Sequence, residues 1–196
     1  MKYSDEQRIK KIYEDAVNLH EYIVSNNIKK DTDINLTELI DKIRLDNNCI
    51  VYEPTQLPNI PAEFDLPRDV IDFYRLCGGM EIYCAESSLG FRIRPAAELL
   101  PVNPLIIGEL YAEDISACWF AIAQDGNGNY VSIDFGKGNK NGFCYDSSLE
   151  CHGLVGNCAI VAKCFTDLLN NLYKNRGLSV YWTEPDFQYL GDAYDE

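Results

Sequence analysis

Two apolar runs closing on a glycine-rich tip constrain this chain more than any other feature. Between Cys118 and Gly136 the sequence reads CWFAIAQDGNGNYVSIDFG. Aromatic and β-branched residues favour a pleated strand, and the Gly and Asn residues of the Asp125–Asn129 tip tolerate positive φ. The pattern predicts an antiparallel hairpin with a longer, five-residue loop. The flanking segments supply the rest of a fold. Ile9, Ile12, Ala16, Leu19 and Ile23 recur at helical spacing and mark one apolar face. Leu36, Leu39, Ile40 and Ile43 mark a second, with Asn35 as its cap and Glu38 as the capping-box partner.

Residues 49–66 hold three prolines and read as a surface connector. Pro67 then opens a third helix with Val70, Ile71, Phe73, Tyr74 and Cys77 on its apolar face, and Gly78-Gly79 stops it. Short strands are predicted at Met80–Cys84, Gly90–Arg94, Phe143–Tyr145 and Ala159–Ala162, with one helical turn at Ala96–Leu100. A last helix over Lys163–Lys174 buries Phe165, Leu168, Leu169 and Leu172. Helices, then short strands, then a closing helix predict an α+β fold. The predicted organisation is an N-terminal helical extension over 1–48 packed on the domain, a central domain over 49–178, and an acidic, aromatic tail over 179–196.

Charge narrows the function. The 196 residues carry 17 basic and 31 acidic groups, net −14. Residues 1–60 account for only −3 of this, and residues 61–196 for −11. Phosphate contacts require Lys and Arg, so nucleic acid is excluded as a partner. No stretch has the length of a membrane span, and the start lacks an apolar signal core. The chain reads as soluble and cytoplasmic, with its eight cysteines reduced.

Catalytic and metal motifs fail when tested by spacing. Asp125-Gly-Asn127-Gly-Asn129 resembles the opening of a calcium loop, but the twelfth position is Gly136 where a bidentate Glu is needed. Cys144, Cys151, His152, Cys158 and Cys164 lie close together without a zinc-knuckle pair. A Cys–His nucleophile would have to use His152, and nothing selects its cysteine. Gly136-Lys137-Gly138 lacks P-loop spacing. No catalytic residue, metal or cofactor is expected.

Three segments carry a resemblance. LPRDVIDFYRLCGG at 66–79 resembles the opening helix of the SMI1/KNR4 (SUKH) superfamily. The Trp119–Asp134 stretch is similar to its second motif, an aromatic strand, a DGxGN-type turn and a strand ending in Asp. KCFTDLLNNLY resembles its last helix. Together they span about residues 60–175. The resemblance implies a mixed or mostly antiparallel sheet flanked by helices, and non-enzymatic work. Many bacterial members are immunity proteins that neutralise a co-encoded toxin, often a nuclease or deaminase, while others are fungal regulators of cell-wall synthesis.

The expected function is therefore a protein-binding immunity module acting on a basic toxin domain. A regulatory module for an endogenous protein is the alternative, and a small thiol-dependent or hydrolytic enzyme the third reading. The matching motif residues, Pro67, Gly78, Gly79, Trp119, Asp125, Gly126, Gly128, Asn129, Asp134 and Phe165, are expected to hold the fold. The tail sets aromatic Tyr181, Trp182, Phe187 and Tyr189 beside acidic Glu184, Asp186 and Asp192. Buried aromatics within a charged rim make an interface, and the same aromatics are equally suited to tie the tail to the core. The residues specify no oligomeric state.

Overall fold

The structure, a computed structural model, describes residues 34–85 and 87–195. The first predicted helix, with Ile9 to Ile23, lies outside the described residues, as does most of the 1–48 extension. The described elements are α1 (Leu36–Arg44), β1 (Cys49–Val51), α2 (Arg68–Leu76), β2 (Met80–Ile82), β3 (Phe91–Ile93), α3 (Val102–Ile106), β4 (Trp119–Asp125), β5 (Tyr130–Asp134), β6 (Cys144–Ser147), β7 (Ile160–Ala162) and α4 (Phe165–Asn175). Short 3₁₀ turns occupy Ala96–Glu98, Ile115–Cys118 and Tyr181–Thr183. No helix among the described residues is long and apolar enough to cross a membrane.

All seven strands form one antiparallel meander in chain order, β1 to β7. The α+β architecture with an antiparallel sheet flanked by helices is as the sequence predicts. Strand alternation and the register put Met80, Ile82, Phe91, Ile93, Val131 and Ile133 on one face. All six are buried, as are Val70, Phe73 and Tyr74 of α2 and Phe165, Leu168 and Leu169 of α4. Phe73 meets Phe165 edge-on at 4.8 Å, which joins the two helices. On the opposite face Trp119 stacks on Tyr145 at 4.2 Å, and Val102 of α3, Cys158, Ile160 and Ala193 complete a second cluster.

Asn35 caps α1 as the sequence predicts, although among the described residues the Glu38 side chain makes no capping-box bond back to it. Asn35 Oδ1 accepts from the Thr37 and Glu38 amides at 3.0 and 3.4 Å. Pro67 is the N-cap of α2 rather than a residue inside it. At its other end Gly79 has φ +118°, and Gly78 lets the carbonyl of Glu53 approach where a Cβ would sit. Two elements depart from the sequence reading. The start of the 49–66 connector is strand β1, because Cys49–Val51 finds backbone partners on β2. The apolar stretch around Pro104 contains α3, whose Val102 and Asn103 are buried.

The tail finishes the sheet. Ile160 donates its amide to Gly191 O and Ala193 to Cys158 O, so residues 191–193 pair with the start of β7 on its outer edge. Unpaired strand edges invite association with other chains, and this pairing shortens the exposed one at β7.

Candidate partner-binding site

The hairpin tip is built by one carboxylate. Asp125 Oδ1 accepts from the amides of Asn127 and Asn129 at 2.9 and 2.8 Å, and Oδ2 accepts from Asn129 Nδ2 at 3.1 Å. Its oxygens therefore serve the loop, as an Asx-type turn requires. Gly128 has φ +93°, whereas a Cβ on Gly126 would meet the Ser88 backbone at 2.9 Å. The two glycines are needed for different reasons. Asp134, at the far end of β5, accepts from the Gly136 amide at 2.6 Å and the Cys118 thiol at 3.3 Å. Burial raises the pKa of its carboxyl above the ordinary value and pushes that of Cys118 up to about 12.

The tail residues divide by environment. Tyr181 donates its hydroxyl to Val161 O at 2.6 Å and sets its ring edge against Trp182 and Phe187. Trp182 donates Nε1 to Asp146 Oδ2 at 2.9 Å and lies 5.9 Å from the Phe91 ring. Both rings are half-buried and tied to the sheet. Glu184 and Asp186 are exposed, and with Phe187 they line an open cleft against α4 that also includes Lys174. Tyr189 is 65% exposed, whereas Asp192 is only 3% exposed. Asp192 caps the final turn, Oδ1 accepting from the Tyr194 amide at 3.0 Å, which places it off the surface.

A second, more enclosed cleft of about 410 Å³ opens beside Trp182. Its walls come from the hairpin tip and its flanks (Asp125, Asn129, Tyr130), Asp146 of β6 with the turn that follows it (Leu149, Glu150), and the Trp182 turn. Three carboxylates line it and no basic residue does. Phe91, Asp146 and Glu150 escaped sequence reasoning. They come from two segments far apart in the chain, β3 and the β6 region, and only the pairing of β3 through β6 gathers them.

His152 occupies a different place, 7% exposed behind the Trp119 ring. Its Nε2 is 2.7 Å from Asn103 Oδ1 and its Nδ1 3.1 Å from Ser147 Oγ. Asn103 Oδ1 only accepts, so with the amide in this orientation Nε2 carries the proton. Ser147 then donates to Nδ1 and accepts from Ser132, 2.6 Å away. Asn103 in turn donates Nδ2 to Ser116 Oγ at 3.0 Å. Ser147 is fully buried, out of reach of any substrate. Neither hydrogen-bond partner of the ring is a cysteine, which removes the geometric basis for a thiol site at His152. Among the described residues no three His, Cys, Asp or Glu side chains converge as a metal cluster.

Comparison with known proteins fixes the lineage. The SMI1 / KNR4 family (SUKH-1) model matches residues 62–171. The chain belongs to the SMI1/KNR4 (SUKH-1) family. It is also 42% identical over 157 residues to the immunity protein YokJ of Bacillus subtilis (strain 168), covering 80% of this chain and 94% of that protein. No solved structure matches it significantly. As a SUKH-1 member with immunity-protein kinship, the chain is a non-enzymatic, protein-binding module of the immunity type. The match takes in α2, the hairpin and most of α4, leaving the Trp182 turn outside the family segment.

Proposed function

We propose that this SUKH-1 protein neutralises a basic bacterial toxin domain, of nuclease or deaminase type, by binding it in the cytoplasm of the cell that makes both. The observation that carries this is the 42% identity to a named immunity protein across nearly that protein's whole length. Charge supports the basic character of the partner. The net −14, concentrated in residues 61–196, favours a positive surface and speeds its encounter by electrostatic steering.

Co-expression with the products of the neighbouring genes tests the reading. One of them is expected to arrest growth when expressed alone and to be harmless, in a stoichiometric complex, when this chain is present. Association of that complex should slow steeply as salt is raised, because exposed charges are screened beyond about 10 Å at 0.1 M. A set of neighbours that yields neither toxicity nor a complex overturns the immunity reading. A complex whose association rate ignores salt overturns the basic character of its partner.

A further inference from the structure

We infer that the cleft beside Trp182 receives an arginine side chain of the protein partner, its guanidinium stacked on the indole and paired with Glu150 and Asp146. This rests on the immunity-type reading above and names the part of the surface that would carry it.

Three observations select this cleft. First, its lining combines three carboxylates with aromatic and apolar walls and contains no cation. The other tail cleft, against α4, has Lys174 in its lining, so its field is mixed. Second, the carboxylates are unequally committed. Asp125 accepts three bonds from the hairpin tip, two on Oδ1 and one on Oδ2. Asp146 accepts one bond on each oxygen, from the Ser148 amide at 2.9 Å and from Trp182, leaving a lone pair on each. Glu150 is exposed and makes no hydrogen bond or ion pair among the described residues. Third, Trp182 is held in place by the bond to Asp146 and by Tyr181 and Phe91, so stacking on it needs little new ordering.

The planar wall favours arginine over lysine. A guanidinium stacks on an aromatic face and presents a fork of donors to a carboxylate, whereas an ammonium is a compact, strongly hydrated point charge. Tyr130 is not the stacking surface. Arg94 already lies 5.5 Å from its ring centroid, and that guanidinium is engaged by Glu98 through its carbonyl at 2.8 Å. At the mouth Leu149 is 74% exposed, next to where the methylenes of an incoming arginine would pass.

The test uses the full chain and nuclear magnetic resonance of its two tryptophan indole N–H groups, Trp119 being fully buried. The probe is N-acetyl-arginine methylamide, with the lysine and citrulline counterparts alongside. A saturable shift confined to Trp182, strongest for arginine and absent for the uncharged citrulline probe, is expected. Glu150→Gln should weaken it by about threefold, the scale of an exposed ion pair. An unshifted Trp182, an equal response to citrulline, or an unaffected Glu150→Gln variant overturns the inference. Once co-expression has supplied a toxin, Glu150→Lys should slow association and reduce protection without lowering the melting temperature. Full protection by Glu150→Lys overturns the cleft and leaves the immunity reading standing. Arginine binding in a chain that protects against no toxin does the reverse.

Discussion

Gly126 and Gly128 sit two positions apart in the hairpin tip and answer to different physics. Gly128 adopts φ +93° with open space around it, so a side chain there meets only backbone strain. A left-handed conformation costs an L-residue about 1–2 kcal/mol, and Gly128→Ala should lower the melting temperature by about 2–8 °C in a chain of this size. At Gly126 the obstacle is the Ser88 backbone, which cannot swing aside as a side chain end can. Gly126→Val should therefore be the more damaging, with both variants keeping partner affinity once folded. Thermal melts and calorimetry check this. An equally stable pair that has lost binding would turn the tip into a contact loop. The glycines themselves were legible from sequence because turn chemistry is local. The Ser88 contact was not, since it joins positions with no shared pattern.

Elements with their own periodicity or punctuation were readable in advance. The hairpin strands Trp119–Asp125 and Tyr130–Asp134 flank the predicted tip, and α2 runs between Pro67 and the Gly78-Gly79 stop. Strand β1 opens a proline-bearing segment that reads as a connector, and the five-residue α3 carries Pro104 inside it, so local punctuation pointed away from both. The tail is an element of another kind, irregular yet structural. Through residues 191–193 it pairs with the start of β7 on its outer edge, and through Tyr181 and Trp182 it reaches Val161 and Asp146. Truncation after Leu178 should expose that edge and strip bonds from two strands. Circular dichroism should show lost structure or a much lower melting temperature. Tyr189→Ala, at an exposed position, should leave the melt unchanged. A truncated chain as stable as the parent would return the whole tail to the role of a free binding arm.

For the whole molecule, pH sets opposing demands. Burial lowers the pKa of His152 below its ordinary value. The unfolded chain then binds more protons near and below pH ~6.5, so stability is full above that value and falls as pH drops through the folded pKa. Asp46 and Glu98 act in the same sense at lower pH. The Asn48 amide holds Asp46 below the usual carboxylate range, and Arg92 does so for Glu98. Two effects oppose them: acid relieves the repulsion of a net −14 chain, and Asp134, raised by burial, is easier to protonate when folded. Comparing the parent with His152→Gln isolates the histidine. The parent should lose melting temperature more steeply between about pH 7 and pH 5, and parallel curves would refute a depressed histidine. By itself the sequence determined the hairpin, the Asn35 cap, the family and the charge, because these are written in neighbouring residues or in simple counts. Only the tertiary structure decided which acidic groups face solvent and which rings are held. It buried Asp192, tied Trp182 to Asp146 across 36 positions, and left Glu150 open beside them. Those outcomes depend on how seven strands register against one another, and a register is fixed by the packing of both faces at once rather than by any local run of residues.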